Sequence, residues 1–194
     1  MKRTLMSIAF AVIAALTVAG CGSDTDSNDS PGSAGSSDAQ FNDADVTFAQ
    51  SMIPHHEQAV EMATMAQERA SSTEVKQLAD KIAAAQGPEI DTMTGWLEDW
   101  GQEVSSDSEG GMDHSGSDMS GVMSDDDMES LGAATGAEFD QMFLEMMIEH
   151  HTGAIEMAQT EQQDGENPDA IALAEKIEAD QTAEIAQMQD LLGS

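Results

Sequence analysis

Two short stretches of this chain set adjacent histidines among methionines, and they repeat one another. Met52-Ile53-Pro54-His55-His56 leads into Ala59-Val60-Glu61-Met62-Ala63, and Met147-Ile148-Glu149-His150-His151 leads into Ala154-Ile155-Glu156-Met157-Ala158. Four of the five histidines in the chain lie here. Thioether sulfur is soft and selects Cu(I) or Ag(I), whereas imidazole suits copper in either oxidation state. Hard Ca²⁺ or Mg²⁺ would ask for oxygen donors instead. Zn²⁺ fits the histidines but gains little from methionine. A di-iron site of the ferritin type would want Glu-x-x-His on paired helices, and neither histidine pair has a glutamate at that spacing. A carboxylate-rich alternative for zinc or iron would draw on Glu61, Glu89, Glu156 and Glu184.

Each histidine pair also has a reading without metal. A buried imidazole must find partners for its polar nitrogens. Gln86 and Glu89 could serve the first pair, and Gln181 and Glu184 the second. The two readings are compatible, because a ligating histidine usually gives its other N–H to a carboxylate or amide.

These residues need elements to hold them. Phe48, Met52, His55, His56, Ala59, Met62 and Ala63 fall at helical spacing on one stripe, as do Phe143, Met147, His150, His151, Ala154, Met157 and Ala158. A second helix follows in each case: Leu78, Ile82, Gln86, Glu89, Ile90, Met93 and Leu97, matched by Leu173, Ile177, Gln181, Glu184, Ile185, Met188 and Leu192. His55 and His150, Leu78 and Leu173, and Met93 and Met188 are each separated by 95 positions, without a gap from Asp45/Asp140 to Leu97/Leu192. The chain is therefore read as a tandem duplication of one helical hairpin. One hairpin cannot bury its own apolar stripe, so two related hairpins form an all-α, antiparallel four-helix bundle. Ser71 with Glu74 suggests a capping box, and Asn167-Pro168 a cap residue before a first-turn proline. Pro54 should kink the first helix just before its histidines, and Gly87-Pro88 the second.

Beyond the leader the chain keeps thirteen of its fifteen methionines (Met1 and Met6 are lost with it), and it has no tyrosine. Methionine commonly fills core gaps, and Met65, Met142 and Met146 are read that way. Met52, Met62, Met147 and Met157 stand apart because each shares a stripe with a histidine pair. Met93 and Met188 would reach the same region from the neighbouring helix. Between the repeats, residues 102–135 are rich in Gly, Ser and Asp and argue against a packed element. Met112, His114, Met119 and Met123 in this stretch make a candidate accessory metal loop.

Lys2 and Arg3 precede an apolar run from Leu5 to Val18, which ends in Val18-Ala19-Gly20-Cys21. Residues 1–20 resemble a bacterial lipoprotein signal peptide, and the resemblance implies cleavage before Cys21 and lipid attachment to its sulfur. Cys21 is the sole cysteine, so no thiol remains for a disulfide or zinc site. Residues 21–42 read as a disordered tether with a reach of very roughly 25 Å. The bundle then spans 43–192, as repeat 43–101, loop 102–135 and repeat 136–192. With 38 acidic against 6 basic residues the formal charge is −32, which repels nucleic acid and anionic lipid and gathers cations. Any membrane contact is expected through the lipid anchor alone.

Both copies, over about Asp45–Leu97 and Asp140–Leu192, resemble the bacterial domain of unknown function family 305, with its motif Met-Ile-x-His-His followed by Ala-hydrophobic-x-Met-Ala. The resemblance implies a ferritin-like topology in a secreted or lipid-anchored protein, and copper binding of the kind found in CopM-like members. Carried over by position, it implies the ligands Met52, His55, His56, Met62 and Met93, with Met147, His150, His151, Met157 and Met188. The expectation is a copper-binding lipoprotein of the cell envelope, facing away from the cytoplasm. It would hold Cu(I) for sequestration, tolerance or transfer, with room for a second copy or a metal-delivery partner. No nucleophile with a base, phosphate loop or acid/base pair suggests an enzyme. The alternative is a structural or interaction bundle without metal.

Overall fold

The computed structural model describes residues 40–104 and 120–193, so the leader, Cys21 and most of the tether lie outside the described residues. The helices are α1 (Asp43–Arg69), α2 (Thr73–Asp99), α3 (Asp125–Ala133), α4 (Ala137–Asp164) and α5 (Pro168–Leu192). Apolar residues at helical spacing require that α1, α2, α4 and α5 each bury one stripe. At 27 residues α1 is about 40 Å long, enough to pass the whole core. Both α1 and α2 run unbroken through Pro54 and Pro88. None of the described helices is long and apolar enough to cross a membrane.

Capping chemistry sets the ends. Asn42 accepts from the backbone N–H of Ala44 and Asp45, while Asp45 accepts from that of Asn42. Asn167 caps α5 ahead of Pro168, as its sequence suggests. The cap of α2 differs from expectation: it is Ser72, which accepts from the Val75 N–H, and not Ser71. Ser71 is drawn away by the other hairpin, because its N–H and hydroxyl both donate to Asp140.

That contact is half of a reciprocal arrangement. Asp45, near the start of α1, accepts from Glu166 N–H and Asn167 N–H (2.9 Å for the latter) in the α4–α5 turn. Its counterpart Asp140, near the start of α4, accepts from Ser71 and Ser72 N–H at 3.0 Å in the α1–α2 turn. Each hairpin closes the turn of the other. The same contacts make α1 and α4 antiparallel neighbours at the centre of the bundle, with α2 packed on α1 and α5 on α4.

The stretch between the repeats departs from expectation. It contains α3, started by a capping box of Ser124 and Asp127 and anchored by fully buried Leu131. The bundle therefore has four long helices and a short fifth one lying against α4.

Candidate metal centre

All four paired histidines are fully buried. The antiparallel pairing of α1 and α4 brings His55 and His150, counterparts in the two repeats, face to face with ring centroids 3.7 Å apart. The two pairs thus converge on one centre at the junction of the repeats. His56 and His151 turn outward within the core, each toward the second helix of its own hairpin. His56 Nε2 lies 2.9 Å from Glu89 Oε2 and His151 Nε2 lies 2.7 Å from Glu184 Oε2. A carboxylate accepts only, so each Nε2 donates to its glutamate, and Nδ1 is the nitrogen left to offer a lone pair from a neutral ring. Gln86 and Gln181 are buried but make no bond to the histidines, and both amide atoms of Gln86 are unpaired. Of the four residues suggested as histidine partners, the structure keeps the two glutamates.

Six of the eight ring nitrogens have no hydrogen-bond partner: both in His55, both in His150, and Nδ1 of His56 and His151. Burial, reinforced by the neighbouring His56, holds His55 down to about 3, and the nearby Ser120 backbone offsets this only in part. Burial and then the facing His55 hold His150 well below the ordinary imidazole range. His56 is also lowered by burial, against the opposing pull of Glu89. At neutral pH these rings are uncharged, the form in which imidazole binds a metal. Burial would raise the carboxyl of Glu89, but its bonds to His56 and to Lys176 (Nζ 2.8 Å away) outweigh that and hold it low. Lys176 also bonds Asp180, and through Glu89 it ties α5 to α2.

The methionines regroup across the repeats. Met52 and Met93 of the first repeat share a core cluster with Met157 of the second. Met147 and Met188 of the second share the other cluster with Met62 of the first. All are fully buried except Met157, which is half-buried. The thioethers therefore flank the histidine centre in two mixed groups, three from each side. Met65, Met142 and Met146 pack at the margin of the core, as read from sequence.

Other candidates fare differently. Met112, His114 and Met119 lie outside the described residues. Met123 is buried against the core and does not lie in an open loop. Glu61 and Glu156 are exposed on the bundle surface, and among the described residues no three His, Cys, Asp or Glu side chains form a ready-made metal site, the paired histidines included, so a metal there would need the thioethers as well. A carboxylate-rich zinc or iron site is thus unsupported by the geometry.

Sequence reasoning missed the strap that crosses the centre. Residues 120–123 pass over α1 and α4, where Gln58 donates to the Met123 carbonyl (2.9 Å) and accepts its N–H (2.8 Å). Ser120 Oγ donates to Glu156 at 2.6 Å. The signal was present: Gln58 and Gly153 are counterparts at which the repeats differ sharply. Lys176 was missed too, although a basic residue is conspicuous in so acidic a chain.

These features define a class: an all-helical bundle made by doubling one hairpin, with imidazole and thioether donors buried where the copies meet. The chain belongs to the family described as "Domain of unknown function (DUF305)", whose model matches residues 45–192. A DUF305 protein of Streptomyces coelicolor, inferred to be secreted, is similar in structure at TM-score 0.70 and 35% identity, covering 77% of this chain and 92% of its own. CopM in a Cu(I)-bound form is similar at TM-score 0.64 and 32% identity, covering 76% of this chain and 94% of its own. CopM in a Cu(II)-bound form gives 0.67 and 35%, covering 77% and 95%. No curated protein matches the chain.

Proposed function

We propose that this protein is an extracytoplasmic, lipid-anchored metal-binding protein that holds copper as cargo, as Cu(I), for sequestration, tolerance or transfer and without catalysis. One observation carries the reading: His55 and His150 meet in the core with unpaired ring nitrogens, between two groups of buried methionines. Burying polar nitrogens without partners costs free energy that a purely structural core would avoid. A soft cation would offset that cost, because uncharged imidazole and thioether are its preferred donors. His55, His56, His150 and His151 would supply nitrogen, with Met52, Met93, Met157, Met62, Met147 and Met188 supplying sulfur. Glu89 and Glu184 orient His56 and His151 and keep a free Nδ1 on each. CopM, which is similar in sequence and fold, occurs in Cu(I)-, Cu(II)- and Ag-bound forms. The lipoprotein-like leader and the Streptomyces relative that is inferred to be secreted support a place outside the cytoplasm. The acid-rich surface would raise the local cation concentration.

The second reading, a structural bundle without metal, draws on the His56–Glu89 and His151–Glu184 bonds. Those bonds satisfy two ring nitrogens and leave six. Metal analysis of protein isolated from copper-supplemented cells separates the readings, together with a thermal melt under Ag(I). Bound copper and a raised melting temperature are expected. Copper-free protein with an unmoved melt would favour the structural bundle.

A further inference from the structure

The centre has a closed side and a covered side. His56 and His151 point toward α2 and α5, which are tied together by Glu89 and Lys176. Gln58 and Gly153 each lie two residues further along, about 200° around the helix, and so face the opposite way. There the strap crosses both counterparts at once. At Gly153 the fit is backbone on backbone: an added Cβ would stand 1.9 Å from the Ser120 carbonyl oxygen. Gly121 sits at φ +80°, and a Cβ there would come within 2.7 Å of the Glu149 carbonyl and 2.9 Å of that of His150. Only glycine fits either place. The strap thus rests on the helical turn that carries His150, and the Ser120 backbone acts on His55.

What holds the strap down is slight by comparison. Gln58 makes its two bonds to Met123 from a half-buried position, and Ser120 bonds exposed Glu156. Of the strap's side chains only Met123 is buried. Few anchors over a packed bundle mark a segment that opens locally while the helices stay folded.

We propose that residues Ser120–Met123 are the removable cover of the histidine centre, with Gln58 as its latch and Gly153 as its bed, and that a soft monovalent cation enters and leaves between α1 and α4 when the cover lifts. The proposal rests on the metal-binding reading above. It assigns Gln58 a positioning role and no part in ligation.

The test uses the full mature chain and its Gln58→Ala, Gln58→Glu and Gly153→Ala variants, each checked for unchanged helical circular dichroism. Two quantities are read: the rate at which diethyl pyrocarbonate modifies His55 and His150, and the rates and affinity of Ag(I) binding. Gln58→Ala should raise histidine modification about tenfold through loss of two hydrogen bonds. Ag(I) association and dissociation should rise together, with Kd within about twofold, since a cover changes the barrier more than the balance. Gln58→Glu keeps one bond and should fall between, while Gly153→Ala should match or exceed Gln58→Ala. Histidine access unchanged in the folded Gln58 variants would overturn the cover. A weakened Kd from faster dissociation alone, with association unaltered, would overturn it as well, by making Gln58 part of the site. Raised histidine access with no Ag(I) uptake by any of the proteins would instead remove the metal-binding reading and leave the cover standing.

Discussion

The two hairpins share one pattern, yet they are not equivalent once folded. In the first, Leu97 is fully buried beside Trp96 and Trp100, with Phe41 stacked on Trp100 at 4.8 Å. Its counterpart Leu192 is 38% exposed. Glu89 is held by both His56 and Lys176, whereas Glu184 bonds His151 alone among the described contacts. Beside Asp45 lies buried Glu161, where the other end of the bundle has Ala66 at the matching position. The difference separates two kinds of residue. Those that the copies share, His55/His150 and Asp45/Asp140, build what needs both halves. Those that differ, Gln58/Gly153 and Glu161/Ala66, add a property to one side.

The largest effect should come from the shared centre. His55→Ala is expected to weaken Cu(I) binding about 100-fold, His150→Ala equally, and the double variant little further, because the two act as a unit. Competition titration against a Cu(I) chelator reads this directly. Two independent sites would show half the stoichiometry at full affinity, and the convergence of the repeats would then lose its functional meaning.

The reciprocal caps come next. Asp45→Ala should cost about 2–3 kcal/mol, since it orphans buried N–H groups. Asp140→Ala, at a half-buried position, should cost about 1–2 kcal/mol by urea denaturation. Equal losses would mean that the two ends do not differ in the way their burial indicates.

Glu161 sharpens the same comparison through pH. Burial, then its neighbour Asp45, raises its carboxyl from 4.5 to about 8. Asp45 itself stays low, because the bonds it accepts outweigh its burial. Between those two pH values the folded chain keeps a proton that the unfolded chain has released. This contribution to stability is therefore whole below about pH 4.5 and declines as pH rises toward 8. The loss is read as a falling slope of stability against pH between 4.5 and about 8. Glu161→Gln should flatten the slope, and an unchanged slope would assign it to other groups. A smaller effect belongs to Lys176→Met, less than about 1 kcal/mol for an ion pair with an exposed lysine. Lys81→Met, at the counterpart position, should cost still less in the same melts.

How much of this was legible beforehand depends on the range of the interaction. The long helices and their pairing into hairpins follow from local periodicity and the constant offset, and Asn167-Pro168 starts α5 as its chemistry requires. Helix α3 was hidden because nine residues that open with three aspartates are marginal alone and rely on Leu131 reaching the core. Ser71 lost its capping role to Asp140, a residue 69 positions away. The same distance effect conceals the centre: periodicity places His55 and His150 on stripes, but only the antiparallel register brings them together. It also exchanges Met62 and Met157 between the two methionine groups. The glutamate partners of His56 and His151 were visible as candidates, yet no spacing rule separates them from Gln86 and Gln181.

The aspartate handshake has the form of a contact between identical subunits. A lone hairpin of this design would carry an acceptor for a turn it cannot reach and a histidine with no facing partner. Both needs are met by a second, identical hairpin across a twofold axis, as in an isologous dimer. In this chain the second hairpin is covalently attached, so its local concentration never falls with dilution. The connection between the hairpins carries α3 and the strap, which no symmetric pair could own singly. The centre has the form of an isologous subunit interface whose two halves share one chain.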